Sequence, residues 1–355
     1  MLQFLHLPVA EPAAAEPPLD PPALLERLCA GHDLEQGEAE ALFGALVRGD
    51  LDDAVTAAVL VALKMKGETV PEIAGAAAAL RTAAEPFPRP DYLFADSCGT
   101  GGDGAHTINV STAVAFTAAA AGLPIAKHGN RSISSRCGSA DVLAALGVPT
   151  GLSAEQSRRR LDEAGVCFLF APQYHPGLRH AGPVRRAIRV RTVMNILGPL
   201  LNPARPPVQI MGVAQPHLIE PAARALALLG SQRALVVHGS GLDEIALHGP
   251  TEAMLVEGGQ ASSMPITPED AGLQRAPLEA LKGGEPEENA MVLEAILKGQ
   301  ATRAQRDAVA LNTGALLFVA GLAADVREGT ALGGGLIDKA APFERLQALR
   351  ELGDA

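Results

Sequence analysis

Apolar positions follow two different spacings along this chain. In the first part they recur at helical intervals, predicting helices over about 23–29, 36–48, 53–64 and 70–84. The third reads D-A-V-T-A-A-V-L-V-A-L-K-M, apolar nearly all round, so burial on most of its circumference is expected. From residue 93 onward, short apolar runs alternate with helical patterns, the mark of a mainly parallel sheet covered by helices. Candidate strands lie at 93–96, 124–127, 166–170, 208–213 and 234–238, with helices near 113–121, 140–146, 154–164 and 218–229. Beyond Thr251 come further strands and two long helices, 288–298 and 303–319. The small residues of 311–321 suggest close helix packing. The pattern predicts an α/β protein: a small N-terminal helical domain at 23–92 and a larger α/β domain at 93–355. Helices from about 176–200 are candidates to join the smaller domain. Residues 1–22, with prolines and acidic residues among alanines, read as a disordered tail.

One stretch departs from this alternation. Residues 96–104 read D-S-C-G-T-G-G-D-G, between the end of an apolar strand and an Ala-rich helix. Glycines let the backbone turn tightly and approach a ligand. Ser111 and Thr112 stand where a helix N-cap belongs. A strand, a glycine loop and a helix N-terminus together can hold an anion, because unpaired N–H groups and the helix dipole converge. The loop lacks the Lys-Ser/Thr ending of a Walker motif, and G-T-G-G-D-G misses the dinucleotide spacing. On its own such a loop is equally a tight turn. About twenty residues later, K-H-G-N-R-S-I-S-S-R-C-G-S-A-D packs Lys127, Asn130, Arg131, Ser132, Ser134, Ser135, Arg136 and Ser139 into thirteen positions. Donors this dense after a glycine loop suit a polyphosphate clamp, and otherwise a solvated loop.

Composition narrows the class. The chain has 355 residues, 48% of them hydrophobic and 19% charged, with a net charge of −11, no Trp and two Tyr. Acidic balance and scarce aromatics argue against a nucleic-acid surface, and they make Lys127, Arg131 and Arg136 an expected local exception. Cys29, Cys98, Cys137 and Cys167 lie outside metal-ligand spacing and read as free thiols of a reducing, cytoplasmic protein. The amino terminus lacks the pattern of a signal peptide, and no uninterrupted apolar run of membrane-spanning length occurs, so no membrane partner is expected.

Three later blocks stand out. F-L-F-A-P-Q-Y-H-P leads to G-P-V-R-R and then R-T-V-M-N-I-L-G-P-L-L-N-P, while V-V-H-G-S-G-L-D-E carries adjacent Asp243 and Glu244. Alone, these fit a surface loop, a helix and surface charge. In this order, with the glycine loop, they resemble the anthranilate phosphoribosyltransferases, of the nucleoside phosphorylase and class II-like phosphoribosyltransferase group. The matching blocks cover about residues 35–350.

The resemblance implies transfer of a phosphoribosyl group from phosphoribosyl pyrophosphate to the amine of anthranilate, in tryptophan biosynthesis. It places the donor on Gly99, Thr100, Gly101, Gly102, Asp103, Thr107, Asn109, Ser111, Thr112, Lys127, Asn130, Arg131, Ser135 and Ser139. It places anthranilate against Gly99, Asn130, His175, Arg185 and Pro199, and Mg²⁺ on Asp243, Glu244 and Ser111. A planar aromatic acid suits a narrow apolar slot with one guanidinium, and carboxylate oxygens suit magnesium. No general base is implied. A homodimer through the helical domain is expected. Four positions depart from the family pattern: Arg136 for Lys, Cys137 for Ser, Arg189 for Gly and Ala246 for a hydroxyl residue. Two other readings stay open here. A pyrimidine nucleoside phosphorylase would lack the block of His175 and Arg185; a non-catalytic nucleotide binder would show a basic face and a damaged carboxylate pair.

Overall fold

The computed structural model describes residues 19–132 and 136–352. Most of the expected tail, and Ser135, lie outside the described residues. The first helix, α1 (Pro21–Cys29), starts two residues earlier than apolar spacing predicts. Its prolines suit a first turn, and Asp20 accepts a hydrogen bond from the Ala23 N–H at 3.2 Å. Then follow α2 (Gln36–Arg48), α3 (Asp53–Lys66) and α4 (Val70–Thr82). Gly75 lets α4 lie against α2, since a Cβ there would sit 2.3 Å from the Gln36 carbonyl. The expectation for α3 is corrected: only Thr56, Val59, Leu60 and Leu63 are buried, and Met65 is 83% exposed. In a four-helix layer an outer helix has neighbours on one side only.

The larger part threads β1 (Ala95–Gly99), α5 (Val110–Ala120), β2 (Ile125–Gly129), α6 (Ser139–Ala145), α7 (Ala154–Ala164) and β3 (Val166–Phe170). Short helices α8 (Ala171–Tyr174), α9 (Gly182–Ile188) and α10 (Met194–Leu197) lead to β4 (Val208–Gly212), α11 (Ile219–Leu228) and β5 (Arg233–His238). A hairpin of β6 (Glu252–Glu257) and β7 (Gln260–Ser263) precedes α12 (Pro286–Leu297), α13 (Arg303–Val319), α14 (Val326–Asp338) and α15 (Ala341–Glu351). The sheet runs β3-β2-β1-β4-β5-β6-β7, with the first five strands parallel and the last two antiparallel.

Strand alternation builds two cores. Ile210, Leu235 and Val237 join α5 and α13 on one face, while Met211, Ala234 and Val236 join α11 and the N-terminal helices on the other. Helices α9 and α10 pack on α3 and α4, so the 176–201 segment returns to the helical layer. Helix α14 goes unread in the sequence because Gly333, Gly334 and Gly335 depress its propensity. Packing overrides that cost. At Gly314 a Cβ would lie 2.3 Å from the Thr330 nitrogen, so only glycine admits this approach of α13 to α14. The strand order reverses beside β1, which opens a crevice at the C-terminal ends of the parallel strands.

Candidate active site

The crevice has a charged half at the ends of β1, β4 and β5. The loop after β1 turns through Gly101, Gly102 and Gly104 at φ +69°, +79° and +76°, conformations that L side chains resist. Gly99 is there for another reason: a Cβ would lie 2.1 Å from Asp243 Oδ2. Asp243 fills that space and accepts the Gly101 N–H at 2.6 Å. Its own N–H points at Asp103 Oδ2, 3.5 Å away. Thr100 ties the loop to β4, donating its N–H to the Gly212 carbonyl at 2.9 Å.

Glu244 accepts the Ser111 N–H at 3.2 Å, at the start of α5. Burial and the neighbouring Asp103 push the Asp243 carboxyl above its usual range. Burial and Asp243 likewise push Glu244 up to about 8. Crowded carboxylates away from water call for a cation. Among the described residues there is no cluster of three or more His, Cys, Asp or Glu that could hold a metal. Two carboxylates completed by substrate oxygens and water are what magnesium favours, so the donor set fits that ion.

Lys127 sits deeper than an open phosphate clamp would. It is 3% exposed and donates to the Ser97 carbonyl at 2.6 Å and to Ser111 Oγ at 3.1 Å. Its charge also bears on Asp96 and Glu244. Thr112 is buried, whereas Arg131 is exposed, its guanidinium 5.9 Å from the Phe170 ring centroid. The Asn130 carbonyl accepts from the Ala140 N–H at 3.2 Å and from Ser139 Oγ at 3.4 Å, which joins the loop to α6. Thr107 bridges to Lys282.

The other half, past β2 and β3, is neutral. His128 and His175 meet edge to face with ring centroids 5.3 Å apart. Burial lowers His128 to about 3, with His175 as second cause, and lowers His175 to about 4. His128 Nδ1 lies 3.2 Å from the Gly198 carbonyl and so carries the proton. Among the described residues its Nε2 is left as a buried acceptor without a partner. Beside it, the Pro199 carbonyl accepts from buried Gln209 at 2.6 Å. Arg185 on α9 is half-buried, its side chain makes no hydrogen bond or ion pair with the described residues, and burial lowers its pKa.

Sequence reasoning leaves out His128, Gly198 and Arg191, whose guanidinium donates to the Gly102 carbonyl. The signal for His128 was its place between Lys127 and Asn130, on a strand whose alternate residues face opposite ways.

The chain matches the model of a glycosyl transferase family, a/b domain, over residues 91–340, and that of the family's helical bundle domain over 22–84. It is 60% identical to the anthranilate phosphoribosyltransferase of Sorangium cellulosum, across 87% of this chain and 89% of that one. The crystal structure of the Thermus thermophilus enzyme superposes with a TM-score of 0.87 at 44% identity, covering 92% of this chain and 98% of that one. The Saccharomyces cerevisiae enzyme in complex with phosphoribosyl pyrophosphate and Mg superposes with a TM-score of 0.86 at 25% identity, covering 94% and 97%.

Proposed function

Because the chain belongs to the anthranilate phosphoribosyltransferase family, we propose that the two halves of its crevice divide one reaction between them. The reaction transfers the phosphoribosyl group of phosphoribosyl pyrophosphate to the amine of anthranilate, releases pyrophosphate and serves tryptophan biosynthesis. Breaking the bond at the ribose leaves oxocarbenium character there and builds negative charge on the leaving group. The charged half takes the donor. In the loop from Gly99 to Asp103 the N–H groups of Thr100 and Gly101 are held by Gly212 and Asp243, which leaves those of Gly102 and Asp103 for its phosphates, with Asn109, Asn130, Arg131 and Ser139 around them. Asp243, Glu244 and the Ser111 hydroxyl would hold Mg²⁺, which when bound supplies positive charge against the departing pyrophosphate. Lys127 keeps Ser111 in place from below.

The neutral half takes anthranilate. The Arg185 side chain, without a partner among the described residues, suits its carboxylate. His128 Nε2 can accept an amine N–H, and His175 with Pro199 forms the wall of the slot. An unprotonated aryl amine is already nucleophilic, so the protein's task is to hold it in line.

The observation that carries this reading is the Asp243 carboxylate locked to Gly101 at 2.6 Å, which joins the acidic pair to the glycine loop. Its test is loss of anthranilate fluorescence with phosphoribosyl pyrophosphate and Mg²⁺, beside a nucleoside-phosphorolysis control. Turnover in the control alone overturns it. The proposal extends to a cytoplasmic homodimer. Four free cysteines and the exposed Met65 on α3 support it, and scattering of a Met65→Glu variant would test the contact. No helix among the described residues is long and apolar enough to cross a membrane.

A further inference from the structure

Helix α12 lies far along the chain from the glycine loop, yet one of its side chains reaches the donor half. Asn289 is 3% exposed. Its Oδ1 accepts the Gly284 N–H at 2.7 Å, and its Nδ2 donates to Asn109 Oδ1 at 2.9 Å. The segment before α12 is pinned to the same place: the Ile108 N–H donates to the Leu281 carbonyl at 2.9 Å, and the Gly283 N–H to the His106 carbonyl at 2.8 Å.

An amide side chain can point either end at a neighbour, and only its partners decide which. Here the decision starts from a group that cannot turn round. A backbone N–H only donates, so the Asn289 atom facing Gly284 is the oxygen. Its NH₂ then faces Asn109, so the Asn109 atom it meets is also the oxygen. That leaves the Asn109 NH₂ on the other side, 3.4 Å from the Cys137 carbonyl, an acceptor as this order requires. Asn109 makes no side-chain cap for α5, although it stands at the N-cap.

We propose that Asn289 is a positioning residue that fixes the Asn109 amide so that its N–H groups, not its oxygen, are offered to the phosphate oxygens of the donor. This rests on the donor site proposed above. A flipped Asn109 would set an oxygen lone pair against both the Cys137 carbonyl and a polyanion.

Asn289→Asp isolates the effect. The carboxylate still accepts from Gly284, and an acid in the first turn of α12 suits the helix dipole, but it has no N–H for Asn109. Asn109 then turns to donate, and its oxygen faces the donor. Calorimetric titration with phosphoribosyl pyrophosphate and Mg²⁺ is expected to show affinity weakened by about tenfold to a hundredfold, as for a lost hydrogen bond to a charged group. The KM for anthranilate at saturating donor should stay near that of the unaltered protein, while the buried acid lowers the melting temperature. In an Asn109→Ala background the same change should do nothing further. Unaltered affinity in Asn289→Asp overturns the inference. So does an equal loss in the Asn109→Ala background, or an equal loss toward both substrates. If the unaltered protein fails to bind the donor, the parent reading fails instead.

Discussion

Lys127 and His128 are neighbours on β2, yet they serve halves of opposite character. Lys127 turns to Ser97, Ser111 and the carboxylates; His128 turns to Gly198 and His175. Burial acts on both halves in one sense, since it disfavours any charge: carboxyls rise and imidazoles fall. In the neutral half that yields a stable uncharged slot. In the charged half it yields a demand for cations. The contrast teaches that the two halves respond differently to the same perturbation, and it can be broken at chosen residues.

The largest effect is expected from Asp243→Asn with Glu244→Gln. Losing the pair should remove several kcal/mol of transition-state stabilisation, a fall of about a thousandfold or more in kcat/KM, and with it the magnesium dependence. The fold should survive, because removing like charges from a half-buried site relieves repulsion. Unchanged magnesium dependence would defeat the assignment. The raised carboxyls also set a sign. The folded protein keeps protons that the unfolded chain has released, so the contribution of this pair to stability is fullest below about pH 4 and is lost as pH rises through about 8. Magnesium should therefore raise the melting temperature more at about pH 8.5 than at about pH 6. Calorimetry at the two pH values checks this, and an equal rise would count against it.

Next comes Arg185→Ala, which sharpens the division. A lost hydrogen bond to a charged group is worth roughly 1.5–3 kcal/mol, or about a 10- to 150-fold fall in kcat/KM for anthranilate, with the donor KM unmoved. Steady-state kinetics with each substrate varied in turn separate the cases. Equal loss toward both substrates would make Arg185 structural.

Gly101→Ala should be milder. Nothing lies within 4 Å of the added Cβ, so only the positive φ opposes it, at about 1–2 kcal/mol. Donor affinity by calorimetry should fall by about thirtyfold at most, while Gly99→Ala, which collides with Asp243, should do worse. If the two variants bind alike, the distinct reasons given for these glycines fail.

The smallest effect falls on the neutral half and appears in stability. With folded values near 3 and 4, His128 and His175 stay neutral while the unfolded chain protonates near its ordinary value. The contribution of these two histidines to stability is thus full above about pH 6.5 and lost as pH falls, by up to about 1.4 kcal/mol per pH unit and group. Thermal melts of His175→Asn should show a shallower decline over that range than the unaltered protein.

Much of this was legible in the chain. Apolar runs located the five parallel strands, and the glycine loop announced a close approach of backbone. What was not legible depends on distant residues meeting. Asp243 and Glu244 read as solvated because local sequence cannot show that Gly99 and Gly212 make room for them; a Cβ at Gly212 would sit 1.6 Å from the Asp243 carbonyl oxygen. Lys127 read as a free cation because nothing nearby in sequence reveals its bond to Ser97 on another strand. Asn289 stands 180 residues from Asn109 and carries no motif signal of its own.

The two edges of the sheet differ in how they meet other chains. One is β7, four residues of Q-A-S-S, three of them exposed, too short and polar to recruit another strand. The other is β3, V-C-F-L-F, the kind of segment that seeds intermolecular β-pairing when bare. Val166 and Phe168 lie in the main apolar cluster, while Cys167 and Leu169 pack with Phe87, Phe94 and Tyr174. The cover on that second side includes the 84–94 connection between the two layers. Any condition that frees this connection uncovers one face of an apolar edge strand, so clumping on heating is expected to involve it.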